Sequence, residues 1–297
     1  LDLTDEIVEK LRAAGRVSRE ARVYGAEILR EGMTLLEGVE KIEEFMRSKG
    51  CPPAFPVCLS VNDMAAHDTP THADERVLRR GDVVKIDLGA QSDGYLADTA
   101  KTVEIGTRNW TDMIRASEEA LAAAIETVHP KVPVRLLGAA IERAIESYGY
   151  RPIANLTGHT IDRYVVHAGK SVPNVGDVGD DVLEEGDLVA IEPFATNGAG
   201  KVDGRKTGNI YRIVRVRDVR PESTFAFLQA AQQAFGKLPF AERWAHRIEA
   251  KAPSHLVRLL RSGLVHTYPA LYDVGHGIVA QAEHSMIVTG GGADLLT

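Results

Sequence analysis

The eleven residues Val77-Leu-Arg-Arg-Gly-Asp-Val-Val-Lys-Ile-Asp87 return 105 positions later as Val182-Leu-Glu-Glu-Gly-Asp-Leu-Val-Ala-Ile-Glu192. The two stretches share Val, Leu, Gly, Asp, Val and Ile, and each ends in a carboxylate. Self-similarity at a fixed offset marks a duplicated supersecondary unit. The flanking sequence repeats in the same order. Apolar residues recur at helical spacing from Thr4 to Arg30, and Thr34-Leu-Leu-Glu37 has the form of a capping box for a second helix ending at Gly50. In the other half, helices are predicted over Thr111 to Val128 and from Val134 to Gly149. Both halves read helix, helix, strand, loop and Gly-Asp strand. The expectation is one pseudo-symmetric α/β (α+β) domain in which Asp87 and Glu192 approach a common cavity.

Val83 to Gly89 and Tyr95 to Ala100 flank Gln91-Ser-Asp-Gly94 and read as a hairpin. A turn centred between Ser92 and Asp93 would set Asp87 directly opposite Asp98. Facing carboxylates among Val84, Ile86 and Leu88 are unfavourable without a cation between them, and a divalent metal is the simplest candidate. Collecting the acidic and imidazole groups in apolar strand contexts adds Glu192, Glu283 and His159. Four carboxylates and a neutral imidazole can hold two divalent ions about 3.5–4 Å apart. His67 and His167 precede their strands at comparable places; the residues alone leave open whether they are structural or functional.

Net charge is −7 with both signs interspersed, which gives no broad phosphate-binding surface. No run reaches the roughly 18 apolar residues of a membrane span, and Asp2, Asp5 and Glu6 do not suit a secretory leader. A cytoplasmic protein without a membrane or nucleic-acid partner is expected. Cys51 and Cys58 are in neither CxxC nor zinc-knuckle spacing and read as free structural thiols.

The repeat lapses near Lys206. After a strand Ile210 to Val216, three helical candidates (222–235, 240–249 and 254–261) have no counterpart in the first half. They are expected to form an inserted helical, winged-helix-like subdomain over 205–272, with Phe225, Phe227, Leu228, Phe235, Trp244 and Ile248 as its core. The enclosing domain would be 1–204 with 273–297. Arg243, Arg247, Lys251, Arg258 and Arg261 leave a DNA-reading role open, against which stand Glu242, Glu249 and the negative net charge; a wall of the substrate pocket is the favoured reading.

Ala66-His-Asp-Thr-Pro70, Lys85-Ile-Asp-Leu-Gly89, Ala97-Asp-Thr-Ala100, Gly158-His159, His167-Ala-Gly-Lys170, Ala190-Ile-Glu-Pro-Phe194 and Gln281-Ala-Glu-His284 resemble the signature segments of type II methionine aminopeptidases, archaeal ones in particular. The resemblance implies the pita-bread fold with a helical insertion. It also implies removal of N-terminal methionine from nascent proteins and peptides, a small second residue being preferred. Asp87 would bind one metal, Asp98 and Glu283 both, and His159 and Glu192 the second, with cobalt, manganese, iron or zinc as the ions. A water or hydroxide shared by the ions would be the nucleophile, and Glu192 its proton acceptor. His67 and His167 would contact substrate, and Phe55, Val166 and Tyr268 would line the methionine pocket of a monomer. Thr157 and the acidic loop Asp177 to Asp181 depart from the family pattern. A proline-directed peptidase and a non-catalytic binding protein of the same fold are the rival readings; the first usually carries an added N-terminal domain, and the second loses metal ligands.

Overall fold

The computed structural model describes residues 3–297, the side chains of 205–207 apart; Asp2 lies outside the described residues. Helix α1 (Asp5–Ile28) starts where the Thr4 hydroxyl accepts the Ile7 N–H, and buries Leu11, Ala14, Val17 and Ala21. Helix α2 (Leu35–Ser48) begins at Thr34, which accepts the Glu37 N–H at 3.0 Å. Only half of the capping box forms, because the Glu37 carboxylate pairs with Lys41 Nζ at 2.7 Å. Strands β1 (Cys58–Val61), β2 (Met64–Ala66), β3 (Val83–Ser92) and β4 (Tyr95–Glu104) follow. The strand expected from Phe55 starts three residues late, since Pro56 has no N–H to give a ladder.

Helices α3 (Thr111–Thr127) and α4 (Val134–Ser147) open the second half. It continues with β5 (Arg151–Pro152), β6 (Thr157–Ile161), β7 (Ser171–Pro173), β8 (Leu188–Ile191) and β9 (Phe194–Thr196). After β10 (Val202–Ile213) come α5 (Glu222–Phe235), β11 (Phe240–Ala241), α6 (Glu242–Ile248) and α7 (Ala252–Arg261), then β12 (Val265–Asp273), β13 (Val279–Thr289) and β14 (Gly292–Leu295). No helix among the described residues is long and apolar enough to cross a membrane. Cys51 and Cys58 are buried free thiols.

The main sheet runs β1-β3-β4-β13-β8-β6-β7, so β4 and β13 lie side by side at its centre, antiparallel. Main-chain bonds repeat across this line. Gly81 N–H donates to Ile105 O and Ile105 N–H to Asp82 O; likewise Gly186 N–H donates to Val288 O and Val288 N–H to Asp187 O. The Asp82 and Asp187 carboxylates accept the N–H groups of Arg79 and Glu184, each at 2.8 Å. With Asp82 matched to Asp187, β4 and β13 correspond at an offset of 183 residues. Ala100, the counterpart of Glu283, is also its ladder partner, so the pseudo-twofold axis passes through that rung.

The hairpin register differs from the expected one. Ser92 pairs with Tyr95, Asp87 with Ala100 and Asp98 with Gly89. The turn residues are Asp93 and Gly94, with φ of 52° and 82°. A two-residue turn that matches strand twist needs positive φ at both positions, which Asp-Gly adopts more readily than Ser-Asp. The correction is a shift of two residues, so Asp87 and Asp98 remain on one face but meet diagonally.

In the segment beyond β9, Phe227, Leu228, Phe240, Leu256, Leu259 and Leu264 form a cluster with Phe235 and Trp244 packed against it. Ile248 is 38% exposed and outside it, and Phe225 is half-buried. Two arginines of helix α6 are drawn to α2. Arg243 is buried, pairs with the buried Glu43, and donates to Thr69 Oγ1 and Pro70 O at 2.6 and 3.1 Å. Arg247 pairs with Glu40 at 2.6 Å.

Candidate metal centre

Phe55, His67, Asp87, Asp98, His159, Val166, His167, Glu192, Tyr268 and Glu283 line one cavity of about 50 Å³. The ten residues singled out from the sequence are thereby brought together, although they come from both halves and from β12. Cys58, Ile210 and Pro239 also line it and were missed. Cys58 is the ladder partner of Asp87, a placement that only the β1–β3 register specifies.

The carboxylates sit where the central strands meet. Asp98, His159 and Glu283 each place one ligand atom within 4.8 Å of the others. His159 Nε2 is 3.7 Å from Asp98 Oδ2 and 3.5 Å from Glu192 Oε1. Gln281, the counterpart of Asp98 at the 183-residue offset, donates Nε2–H bonds at 3.4 Å to both Asp87 Oδ2 and Glu192 Oε2. His159 corresponds to Ser60 of the first half, as their pairings with Ala190 and Lys85 show. The preceding Gly158 permits this approach, because a Cβ there would lie 2.4 Å from Ala190 O.

Two hydroxyls fix the rungs on either side of Ala100 and Glu283. The Ser285 hydroxyl accepts the Asp98 N–H and donates to Asp98 O, both at 2.8 Å. Thr102, its counterpart across the axis, does the same for Gln281 at 2.7 Å. Side-chain oxygens thus stand in for two main-chain rungs, and they hold the backbones that carry Asp98 and Gln281.

Burial pushes the Asp87 carboxyl up to about 6. It also raises those of Asp98, Glu192 and Glu283 well above the usual carboxylate range, with mutual repulsion adding to the effect. Burial drives His159 down to about 3 and His167 to about 4, and also lowers His67; His67 and Arg212 add to the effect on His167. The three imidazoles are therefore neutral. Asp98 Oδ1 and Glu283 Oε2 are buried without a hydrogen-bond partner. Acceptor-only oxygens left this way in a four-carboxylate cavity fit divalent cations, and the set of carboxylate oxygens plus one imidazole nitrogen suits hard or borderline ions.

His67 occupies the left-handed region, with φ of 62°, where a non-glycine residue is held only by its surroundings. Its Nδ1 lies 3.3 Å from Pro269 O. A carbonyl can only accept, so Nδ1 carries the proton and Nε2 is left as an acceptor. The His159 and His167 rings meet edge-on with centroids 4.4 Å apart, and Tyr268 lies 5.8 Å from the His67 ring and 6.1 Å from His167. Phe55 packs on the strand at Gly89, where a Cβ would lie 2.6 Å from its ring.

Residues 9–290 match the metallopeptidase family M24. The methionine aminopeptidase of Archaeoglobus fulgidus is 44% identical over 296 residues, which cover 99% of this chain and 100% of that protein. Among solved structures, a thermophilic Arx1 superposes with a TM-score of 0.86 at 19% identity, covering 99% of this chain and 91% of that one. The methionine aminopeptidase of Rickettsia prowazekii superposes with a TM-score of 0.71 at 21% identity, covering 99% and 98%. These likenesses identify the pita-bread fold that the family resemblance implied, and it contains the pseudo-symmetric arrangement anticipated from the repeat. The family match, the archaeal relative and the acidic centre agree: this chain belongs to metallopeptidase family M24.

Proposed function

We propose that this chain is a methionine aminopeptidase that releases the N-terminal methionine from nascent proteins and peptides with a small second residue. The observation that carries this reading is the buried acidic centre, whose unpartnered Asp98 and Glu283 oxygens lie beneath an apolar recess lined by Phe55, Ile210 and Tyr268. An unbranched thioether suits such a recess. Asp87 would hold one divalent ion and His159 and Glu192 a second, with Asp98 and Glu283 available to both. Cobalt, manganese, iron and zinc all match the donor set. When bound, the ions supply Lewis acidity and make hydroxide available near neutral pH.

The remaining steps belong to the chain's own groups. Glu192 accepts the nucleophile's proton and returns it to the departing amine. Neutral His167 donates an N–H to the scissile carbonyl oxygen, where negative charge develops. His67 Nε2 accepts a substrate N–H. The division into an enclosing domain (1–204 with 273–297) and an insertion (205–272) gives the insertion a wall of the recess through Ile210, Pro239 and Tyr268. Arg243 and Arg247 are engaged by Glu43 and Glu40, which favours that role over DNA reading. A cytoplasmic monomer acting without a nucleic-acid partner completes the reading.

The test is metal analysis of the reconstituted protein, together with hydrolysis of Met-Ala-Ser and Ala-Pro peptides. Release of methionine with about two ions per chain is expected. No methionine release after reconstitution with each of the four metals would sink the proposal.

A further inference from the structure

Beside the recess lies a groove of about 420 Å³ that shares Val166, His167, Pro239 and Tyr268 with it. Its outer part holds Arg212, Lys237 and His266, and no acidic residue lines it. This is unexpected in a chain whose net charge is −7.

The strand register explains how the two spaces connect. Ile210 pairs with Tyr268, and Arg212 with His266, in the antiparallel ladder of β10 and β12. Side chains two apart on a strand share a face. The face that lines the recess through Ile210 and Tyr268 therefore continues outward as the Arg212–His266 rung. Arg212 thus stands opposite an imidazole and not a carboxylate. No ion pair is recorded for Arg212 or Lys237 among the described residues. Two acids border the groove and both are engaged: Asp93, which Tyr164 approaches at 3.5 Å, is held by Lys10 and Arg163, each at 2.9 Å, and Asp162, bonded through its main chain to Val165, accepts the Arg163 N–H on its carboxylate at 2.6 Å.

Distance sets what could reach this rung. An extended chain advances about 3.3 Å per residue, so the rung lies about two peptide residues beyond Tyr268. With methionine in the recess and the scissile carbonyl at His167, the third and fourth residues of a substrate come level with Arg212 and His266. Val165 and Val214 add apolar surface beside Arg212 and Lys237.

We propose that this groove receives the substrate beyond its second residue, and that Arg212 and Lys237, with His266 at the same rung, select acidic side chains at the third and fourth positions. The proposal rests on the aminopeptidase reading and narrows its substrate class to N-termini of the form Met, small residue, acid, acid. Attraction to exposed cations in this setting is modest per pair and screened by salt, so the effect is a preference among substrates.

The experiment compares kcat/KM of the metal-loaded protein for Met-Ala-Asp-Glu-Ser, Met-Ala-Asn-Gln-Ser and Met-Ala-Lys-Lys-Ser at low and high ionic strength. The acidic peptide is expected to exceed the basic one by about fivefold or more at low ionic strength, and high salt should compress the ratio. In Arg212→Glu/Lys237→Glu the ratio should invert; the ratio is read, so a general loss of rate does not obscure the answer. The salt series on the unmodified protein provides the same test without a variant. A smaller or reversed ratio, one indifferent to salt, or one unchanged in the double variant overturns the groove assignment. If the neutral peptide is still cleaved, the aminopeptidase reading survives that failure. If no methionine peptide is cleaved, both fall.

Discussion

Arg243 is the most informative residue to replace, because the sequence presents it as one of several surface cations and the fold buries it. Its side chain is 1% exposed and that of Glu43 is 0% exposed, and the pair joins α6 to α2. In Arg243→Met, Glu43 would keep the Trp244 Nε1–H at 2.8 Å, the Val57 N–H at 3.3 Å and partly exposed Arg47 at 3.3 Å. It would lose its only fully buried cation among the described residues. Breaking a buried ion pair from one side costs about 3–5 kcal/mol. Arg47 compensates in part, so a loss of about 3 kcal/mol is expected, a large share of a typical domain's margin of about 5–15 kcal/mol. In Glu43→Gln/Arg243→Met the uncompensated charge is gone, at the cost of one of the two N–H acceptors, since the Val57 and Trp244 N–H groups use different oxygens of Glu43 and an amide has only one. The double variant should therefore be more stable than the sum of the single losses by about 1–3 kcal/mol. Denaturant unfolding of the metal-loaded protein, run as a double-variant cycle, measures this. A loss under about 1 kcal/mol in Arg243→Met, or strict additivity, would refute the argument. Arg243 also holds Thr69 and Pro70, just after His67. Turnover should accordingly fall with metal content unchanged.

Four further outcomes are expected. Asp98→Asn should fold but fail to retain two ions, and near-normal turnover with both ions bound would count against the centre. His67→Ala should keep its metals while kcat/KM drops by about 10²-fold or more; loss of one metal equivalent would make His67 a ligand. Ser285→Ala orphans the Asp98 N–H and leaves the Asp98 carbonyl only the 3.5 Å bond from the Thr297 hydroxyl; it should cost about 1–3 kcal/mol along with metal affinity, both restored by Ser285→Thr, and equal melting and metal-titration curves would show the hydroxyl to be dispensable. Glu104 accepts the Asn109 and Trp110 N–H groups at the start of α3 and is held below its ordinary value chiefly by its bond with Thr107. A depressed carboxyl stabilises the fold above its unfolded value near 4.5 and loses that contribution as pH falls through the folded value, so the stability gap between the native chain and Glu104→Gln should close in acid. A gap that is the same in acid as at neutral pH would contradict this.

The repeat was legible because its fixed points are backbone requirements that show in residue type. Gly81 and Gly186 have φ of 90° and 88°, and Asp82 and Asp187 close matching turns. Local signals of this kind also placed α1, α2, α3 and α4 to within a few residues. The β3–β4 register was not legible to two residues, because alternation fixes a face and only the turn fixes the pairing. Arg243 escaped for a different reason. Its partner lies 200 residues away on another element, and nothing in its neighbours separates a buried arginine from a solvated one.

The asymmetry of the halves is what turns a duplicated scaffold into a site. Strict symmetry would relate every ligand in pairs, and only Asp87 and Glu192 are so related. Across the axis, Asp98 corresponds to Gln281, Glu283 to Ala100 and His159 to Ser60. A carboxylate at the place of Gln281 would add a fifth charge to a cavity where burial already raises four carboxyls. The amide instead donates to one member of the symmetric pair and to the other. Glu283, on the axis, faces Ala100, which leaves room for a single central carboxylate where two opposed ones would repel. The hydroxyls of Thr102 and Ser285 stay symmetric because they serve the backbone, which the halves share. The side chains that face the cavity differ because four charges and one imidazole cannot be arranged around a twofold axis in equal halves.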